Sequence, residues 1–392
     1  MRFAFMCSRR FYWSCRTMQF KGKALWRKKY SIWSFCRLMG FSKSQQLKDY
    51  MRPLLSSMTE FSAQSVKKQI EKLLIPDCQI KMCFPFGETS GIEGYYDTTY
   101  KPLLKAFPNL ERRDLIVLAG ETPEGSNWVA CMGNYFGTFI SSFLDILPTG
   151  HLAHMRFHEF YRFENDKVIE VQAIWDLPEL MMQSNSWPMA PQLGRFICTP
   201  GPISNDGLNA EGDGSESMLK IKNMLTDLCK HPSDPNPKIM NLEKHWHPRF
   251  NWYGPAGIGT SRGISGFRNW HQIPFLNAMP DRTVDDKSDL HSKWKADTHW
   301  IAEGFYVCET GWPNMQMRLN FDGWMGIAPV NKEIFLRSLD FWKLGEDGLI
   351  RENWVLVDLL DMYKQVGIDV FHRLRELNKS KSLGNVVMDE NY

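Results

Sequence analysis

The chain has 392 residues, of which 43% are hydrophobic and 13% aromatic, which is sufficient for two or three domains with substantial cores. Its net charge is only +3, and Met1–Gly40 carries ten Lys and Arg and no acid. The remainder is mildly acidic, which argues against nucleic-acid binding by the body of the protein. The sequence contains no apolar run of ~18 residues, the length a membrane-spanning helix requires, so a membrane partner is not expected.

The basic leader, residues 1–44, is rich in Arg, Ser and aromatic residues, as transit peptides are. It also has no regular amphipathic period. Met39, Met51 or Met58 is an alternative site for the start of translation. We expect this leader to be disordered or a mis-assigned start. The nine cysteines include no CxxC pair, which indicates free thiols in a reducing compartment and predicts a cytoplasmic protein.

An internal repeat organises the rest of the chain. Residues 91–108 and 263–280 align without a gap and share seven of eighteen residues, where chance predicts about one. A second match joins 163–183 to 345–365, and the spacing between copies grows from 172 to 182 residues. Because loops absorb insertions of this kind, we predict two copies of one fold.

Each copy begins with helices and continues with several strands, which is typical of an α+β fold with an antiparallel sheet. We predict a first domain at 45–195, a linker at 196–216, a second domain at 217–380 and a tail at 381–392. The linker is rich in Gly, Ser, Asn and Asp, as exposed connections are. The sequence "EDGL", late in the second copy, predicts a hairpin turn.

The last strand of each copy ends in an aspartate. Alternation places Asp176 on one face with Glu170, and Asp358 on one face with Glu352. A carboxylate desolvated inside a closed sheet has a raised pKa and can transfer protons. An aspartate directly before a helix also serves as its N-cap, and spacing alone does not separate the two interpretations.

Several histidines are weaker candidates. His154 and His158 alternate along one strand, on a face that is either solvated or lines a cavity. His271 lies on the repeated helix where the first copy has Thr99, which favours a wall residue with a ligand contact peculiar to the second copy. The motif "HWHP" lacks CxxC, HExxH or a nearby acid pair, so no metal site is predicted.

The end of each copy resembles the SnoaL-like polyketide cyclases of the nuclear transport factor two and ketosteroid isomerase superfamily. The resemblance rests on a hairpin of the form F-R-x-x-D/N-G-K-I-x-E-x-W-x-x-x-D, followed by a short helix with L-x-x-Q. The second copy matches at Asp347, Gly348, Ile350, Glu352, Trp354, Asp358 and Gln365, and the first at Arg162, Lys167, Glu170, Asp176 and Gln183. The family implies two tandem cone-shaped α+β barrels, each with helices on a curved antiparallel sheet around one apolar pocket, joined as an intramolecular pseudo-dimer.

The resemblance also implies a function. Cyclases of this family use the aspartate at this strand end as acid and base in an aldol ring closure, without metal or cofactor. That catalytic role falls on Asp176 and Asp358 by resemblance. The expected substrate contacts are His154, His158, Gln172, His271 and Trp354.

Three functions remain open at this stage. The first is a cofactor-free cyclase or isomerase acting on a hydrophobic carbonyl or polyketide-like compound. The second is a non-catalytic binding protein for a lipophilic small molecule, and the third is a pseudo-dimeric scaffold. In the first two the partner is a hydrophobic small molecule; further homo-oligomerisation is left open, and the sequence identifies no substrate.

Overall fold

The computed structural model describes residues 42–231, 236–282, 296–321 and 323–381. The basic leader up to residue 41 and the tail beyond residue 381 lie outside these ranges, so the expectations for them stay predictions. None of the described helices is long and apolar enough to cross a membrane.

The first cone begins with two amphipathic helices, Lys43–Ser57 and Ala63–Leu73. The Ser42 hydroxyl accepts a hydrogen bond from the Gln45 amide at 3.2 Å and caps the first helix. Its apolar side chains recur at helical spacing and face the sheet. The strands are β1 (Leu74–Met82), β2 (Glu88–Ser90), β3 (Glu111–Glu121), β4 (Asn127–Thr138), β5 (Leu152–Glu164) and β6 (Lys167–Trp175), and the helix Leu177–Gln183 follows.

The second cone repeats this order. The helices Ser215–Leu228 and Leu242–His245 come first, and the helices Leu359–Gln365 and Val370–Lys379 follow the strands. The strands are β7 (Trp246–Tyr253), β8 (Ser261–Arg262), β9 (Thr298–Glu303), β10 (Tyr306–Leu319), β11 (Lys332–Leu344) and β12 (Ile350–Val357). The turn predicted from "EDGL" joins β11 to β12, where Gly348 adopts the positive φ of 73° that favours glycine.

The repeated helical segment is helical in both copies. In the first it runs as Gly91–Tyr95 and Lys101–Ala106, joined by a π-helical turn, and in the second as Gly263–Phe267 and Ile273–Ala278, joined in the same way. A proline is the second residue after each π-turn, and its missing N–H interrupts the regular ladder at that point. The shared prolines therefore account for an interruption of the helix at the same place in both copies.

The two sheets have the same strand order, β2-β1-β6-β5-β4-β3 and β8-β7-β12-β11-β10-β9. The predicted α+β class is confirmed. The expected all-antiparallel sheet is wrong in one respect, because β1 pairs parallel with β6 and β7 pairs parallel with β12. These pairings join strands that are far apart in the sequence, and local sequence patterns do not predict such pairings.

The cones pack back to back through β5 and β6 of the first and β11 and β12 of the second, and equivalent residues make equivalent contacts. Asp176 accepts a hydrogen bond from the Ala256 amide at 2.9 Å, and Asp358 accepts one from the Phe84 amide at 3.0 Å. Phe84 and Ala256 are 172 positions apart, the spacing of the first repeat match. The interface is therefore isologous, as in a two-fold dimer.

The segment predicted as an exposed linker packs against the second cone as well as the first. The Pro200 carbonyl accepts from the Trp354 indole at 2.9 Å, and the Ile203 amide donates to Glu352 at 3.1 Å. The side chain of Ile203 is nevertheless 83% exposed. The segment thus has exposed side chains, as a linker does, but its backbone is hydrogen-bonded to side chains of β12.

Candidate functional site

A cavity of about 180 Å³ lies inside the second cone, between the inner face of the sheet and the helices. Its walls are mainly apolar and aromatic, and its aromatic lining residues include Trp246, Trp252, Phe275, Trp300, Trp324 and Trp342. Cavities of this kind, apolar with a few convergent polar groups, are the usual ligand sites of proteins. The polar groups therefore decide what the cavity can do.

Two carboxyl groups line the cavity side by side. Glu309 on β10 and Asp340 on β11 are directly opposite each other in the antiparallel pairing, so their side chains emerge from the same face of the sheet. Burial raises the pKa of Glu309 to about 8, and Asn314 and Lys222 oppose this shift only in part. Burial, followed by the charge of Glu309, raises the pKa of Asp340 well above its usual range. Both carboxyl groups therefore give up their protons less readily than exposed acids do.

Further polar groups surround the pair. The Asn314 amide donates to the Ser338 hydroxyl at 2.7 Å, and the Asn353 amide donates to the Phe341 carbonyl at 3.0 Å. His271 stacks on Trp252 with ring centroids 4.0 Å apart. Burial, with a smaller contribution from the charge of Arg282, lowers the pKa of His271 to about 3, so its ring is neutral.

Some polar atoms of the lining residues are buried and have no hydrogen-bond partner within the described part of the chain. They include the acceptors Asp340 Oδ1 and Asn314 Oδ1, the donors Trp246 Nε1 and Trp324 Nε1, and His271 Nδ1. A buried polar group without a partner costs about 1–3 kcal/mol. A small ligand with its own polar group would recover part of that cost.

The same place in the first cone is filled by side chains. Glu159 pairs with Ala173 as Asp340 pairs with Val355, which makes Glu159 the counterpart of Asp340. The Arg112 guanidinium contacts Glu159 at 2.5 Å, and the Tyr135 and Tyr161 hydroxyls donate to it at 2.9 and 2.6 Å. The Trp175 indole adds a fourth bond at 2.9 Å. Burial is outweighed by these partners, which lower the pKa of Glu159 and keep it ionised.

The expectation that Asp176 and Asp358 face a closed pocket is not met. Asp176 caps the following helix by accepting from the Glu179 amide at 3.3 Å, and Asp358 accepts from the Asp361 amide at 3.2 Å. Both lie in the interface between the cones, beside spaces of only about 10 Å³. A space of that size holds about one water molecule. The alternation was right about which residues share a face, but that face meets the other cone.

The residues predicted to contact substrate also lie in different places, in the cavity or outside it. His271 lines the cavity. His158 and Gln172 are fully buried in the interface, and Trp354 stacks on Tyr253 and bonds the Pro200 carbonyl on the outer side of the second cone. His154 lies near Glu179, with its Nδ1 at 3.2 Å from Oε1, and stacks on Phe196. Of these contacts, the structure brings only His271 into the described cavity.

Glu309 and Asp340 were missed at the level of sequence. The available signal was an acid in the middle of an otherwise apolar strand, where acids are depleted. Glu309 follows Cys308 in "YVCETGW", and Asp340 stands between Leu339 and Phe341 in "RSLDFWK", so alternation could have set them apart. Their pairing across β10 and β11 depends on strand register, which the sequence did not reveal.

Comparison with known proteins shows where the family likeness lies. Residues 54–184, in the first cone, match the family model described as SnoaL-like polyketide cyclase. Similar solved structures include AclR from Streptomyces galilaeus, at 21% identity over 36% of this chain and 96% of that chain, with a TM-score of 0.30. IdmH from Streptomyces antibioticus is 18% identical over 36% of this chain and 99% of its own, with a TM-score of 0.31.

A SnoaL-like polyketide cyclase from Agrobacterium tumefaciens is 22% identical over 35% of this chain and 96% of its own, with a TM-score of 0.28. At these identities and TM-scores the structural likenesses carry no argument about activity. None of the curated proteins compared shows a significant match to the chain.

Proposed function

We propose that the second cone binds a small hydrophobic carbonyl compound and catalyses proton transfer on it, as a cyclase or isomerase does. The observation that carries this proposal is the carboxyl pair, Glu309 and Asp340, inside a cavity with aromatic walls. The family match of the first cone supports a cyclase or isomerase type of activity in general. We extend the same ancestry to the second cone, treating 45–195 and 217–380 as two copies, because strand order and repeat matches agree.

The chemistry follows from two adjacent carboxyl groups that cannot both ionise easily. In the fraction of molecules in which one group of the pair is ionised, that carboxylate removes a proton from the carbon next to the substrate carbonyl, which breaks a C–H bond and forms an enolate. The other group, still protonated, donates a hydrogen bond to the developing enolate oxygen. The carbanion then either attacks a second carbonyl, forming a C–C bond, or takes back a proton at another carbon. The pair titrates as a unit, so the two roles belong to the dyad.

The cavity also limits the size of the ligand. A cavity of about 150 Å³ accommodates benzene, and pockets for drug-sized ligands measure about 300–1,000 Å³. The 180 Å³ of the second cone therefore fits a ligand with about one ring. Acetophenone, which combines one ring with a ketone and exchangeable methyl protons, is a suitable probe.

A direct test is the exchange of the methyl protons of acetophenone in D₂O, followed by proton NMR. Wild-type protein should accelerate the exchange, and Asp340→Asn and Glu309→Gln should each reduce that acceleration by about 100-fold or more. Asp358→Asn is the matched control, because this buried carboxyl lies outside the cavity, and it should retain exchange. Loss of exchange in Asp358→Asn with full activity in the other two would overturn the assignment.

The second candidate is a binding protein without catalysis, and the aromatic walls favour it to the same degree. It predicts that acetophenone stabilises the wild-type protein against heat without any accelerated exchange. Retained binding in Asp340→Asn together with lost exchange supports the enzyme.

A further inference from the structure

Among the contacts between the first cone and strands β10 and β11, two hydrogen bonds reach the residues next to the carboxyl pair. His158 on β5 bonds the Leu339 carbonyl on β11, with Nδ1 and O 2.6 Å apart. The Thr310 hydroxyl on β10 donates to the side-chain carbonyl of Gln172 on β6. Both side chains of the first cone are completely buried. His158 and Gln172 were expected to contact substrate, which their place in the interface does not support.

The two anchored residues are the immediate neighbours of the carboxyl pair. Thr310 and Leu339 are opposite each other in the β10–β11 pairing, and so are Glu309 and Asp340, one position along. Because successive side chains of a strand point to opposite faces, the pair at 310 and 339 meets the first cone while the pair at 309 and 340 meets the cavity. The anchors therefore hold the back of the sheet at the point where the acids project from its front.

Gln172 is itself held in place, and the ring of His158 has a defined protonation state. The Gln172 amide donates to Glu170 at 2.8 Å, and the Lys81 ammonium contacts Glu170 at 2.6 Å. Burial, assisted by the charge of Arg156, lowers the pKa of His158 well below its usual range. Its ring is therefore neutral, and because a carbonyl only accepts, Nδ1 carries the proton given to Leu339.

These contacts run in one direction. The interface is two-fold in other respects, with equivalent pairs at Asp176 and Asp358. The counterpart of His158 is Leu339, which has no polar side chain, and the counterpart of Gln172 is Trp354, which bonds the Pro200 carbonyl instead. The first cone therefore anchors the acid-bearing strands of the second through side-chain hydrogen bonds that the second does not return.

We propose that His158 and Gln172 are positioning residues for the Glu309–Asp340 pair, so that the first cone, whose own interior is filled, sets the geometry of the site in the second. This inference rests on the function proposed above. It gives the filled cone a role, because its buried side chains fix the height and spacing of two carboxyl groups on a neighbouring sheet. Functional groups need this support, since small displacements cost much of their efficiency.

The experiment measures the carboxyl groups directly and needs no substrate. The full-length protein is labelled with ¹³C at the Asp and Glu carboxyl carbons, and the Glu309 and Asp340 signals are assigned by their loss in Glu309→Gln and Asp340→Asn. Two matched sets of variants are titrated. Thr310→Val removes the donor and Thr310→Ser retains it; His158→Leu removes the other donor and His158→Asn places an amide nitrogen at the position of Nδ1.

We expect Thr310→Val and His158→Leu to lower the titration midpoint of the pair by about 0.5 pH unit or more, since loosened strands admit water. Thr310→Ser and His158→Asn should restore most of the wild-type midpoint. Glu303→Gln is the control. It alters another buried link between the cones, from Glu303 on β9 to the Ala119 amide at 2.9 Å, without changing a hydrogen bond made by Thr310 or Leu339, and should leave the midpoint unchanged.

Unchanged midpoints in both Thr310→Val and His158→Leu, with only a lower melting temperature, would overturn the proposal. If His158→Leu does not fold, the two Thr310 variants decide the matter alone. The proposed function fails separately: if Asp340→Asn and Glu309→Gln keep full proton exchange on acetophenone while the midpoints shift as expected, the positioning stands and the catalytic assignment falls.

Discussion

The two cones share one strand order and differ in what fills them. In the first, Glu159 is surrounded by Arg112, Tyr135, Tyr161 and Trp175 and is ionised. In the second, the equivalent Asp340 faces a cavity beside another acid. Val357 stands where the first cone has Trp175, which accounts for part of the freed volume. The same fold thus yields a packed core in one copy and a ligand-sized space in the other through a few inward-facing residues.

The difference also separates family likeness from the candidate site. The family model matches residues 54–184, which form the filled cone. The copy that matches the family model and the copy that contains the candidate cavity are therefore different. This is expected physically, because fold depends on the periodic pattern of a whole domain, whereas a site depends on a handful of side chains.

The largest effect should follow from breaking the ion pair that fills the first cone. Arg112→Met leaves Glu159 buried without its cation, which should cost about 3–5 kcal/mol of unfolding free energy, measured by urea denaturation. Arg113→Met is the control: its side chain is 61% exposed, and it should cost less than about 1 kcal/mol. Equal losses in the two variants would show that the Arg112–Glu159 pair does not hold the core.

Making the second cone resemble the first should abolish its binding. Val357→Trp introduces the residue type found at the equivalent position, Trp175, and should fill the cavity. Affinity for acetophenone, measured by calorimetry, should fall about 100-fold or more because the cavity is occupied. Val330→Trp, at a position 44% exposed and outside the cavity lining, should bind normally. Undiminished binding in Val357→Trp would place the ligand elsewhere.

Ionisation inside the cavity should show in stability against pH. The folded-state pKa of Glu309, about 8, lies above the ~4.3 of an unfolded glutamate. Its contribution is therefore complete below the unfolded pKa and is lost as pH rises through the folded pKa. Glu309→Gln cannot ionise at this position. Between the unfolded and the folded pKa, its unfolding free energy should therefore rise relative to that of wild type by up to about 5 kcal/mol. Glu346→Gln, in the exposed β11–β12 turn, should show the same pH dependence of unfolding free energy as wild type. If Glu309→Gln also parallels wild type, the carboxyl of Glu309 does not have a pKa raised by burial.

The smallest effect should come from the interface caps. Asparagine caps helices as well as aspartate, so Asp358→Asn should cost less than about 1 kcal/mol at neutral pH. Asp176→Asn should cost somewhat more, because it also removes the charge that Asp176 presents to the buried Arg156 at 3.3 Å. Asp176→Ala, which also removes the acceptor for the Ala256 amide, should cost more. Thermal denaturation distinguishes these variants. Equal losses for Asp176→Asn and Asp176→Ala would show that the cap and the cross-cone bond are not the role of this residue.

Much of the fold was accessible from the sequence because it rests on local order. The repeat, the proline-bent helices and the β11–β12 hairpin follow from residues close in the chain, and the structure has all three. The alternation that placed Asp176 with Glu170 and Asp358 with Glu352 is also present, because pleating depends only on backbone geometry. The parallel pairs β1–β6 and β7–β12 were not predicted, since they join strands about ninety or more residues apart through pairings that leave no local trace.

The sequence by itself determined that two copies of one α+β unit are present and which residues share a face of each strand. Only the tertiary structure decided what each face meets. The face with Asp176 and Asp358 meets the other cone, and the face with Glu309 and Asp340 meets the cavity. The physical reason is that a period-two pattern distinguishes buried positions from exposed positions. Side chains that line a cavity and side chains in an interface are both buried, so the pattern does not separate them. The packing of one copy against the other, rather than the sequence pattern of either copy, determined whether each acid lies in the cavity or in the interface.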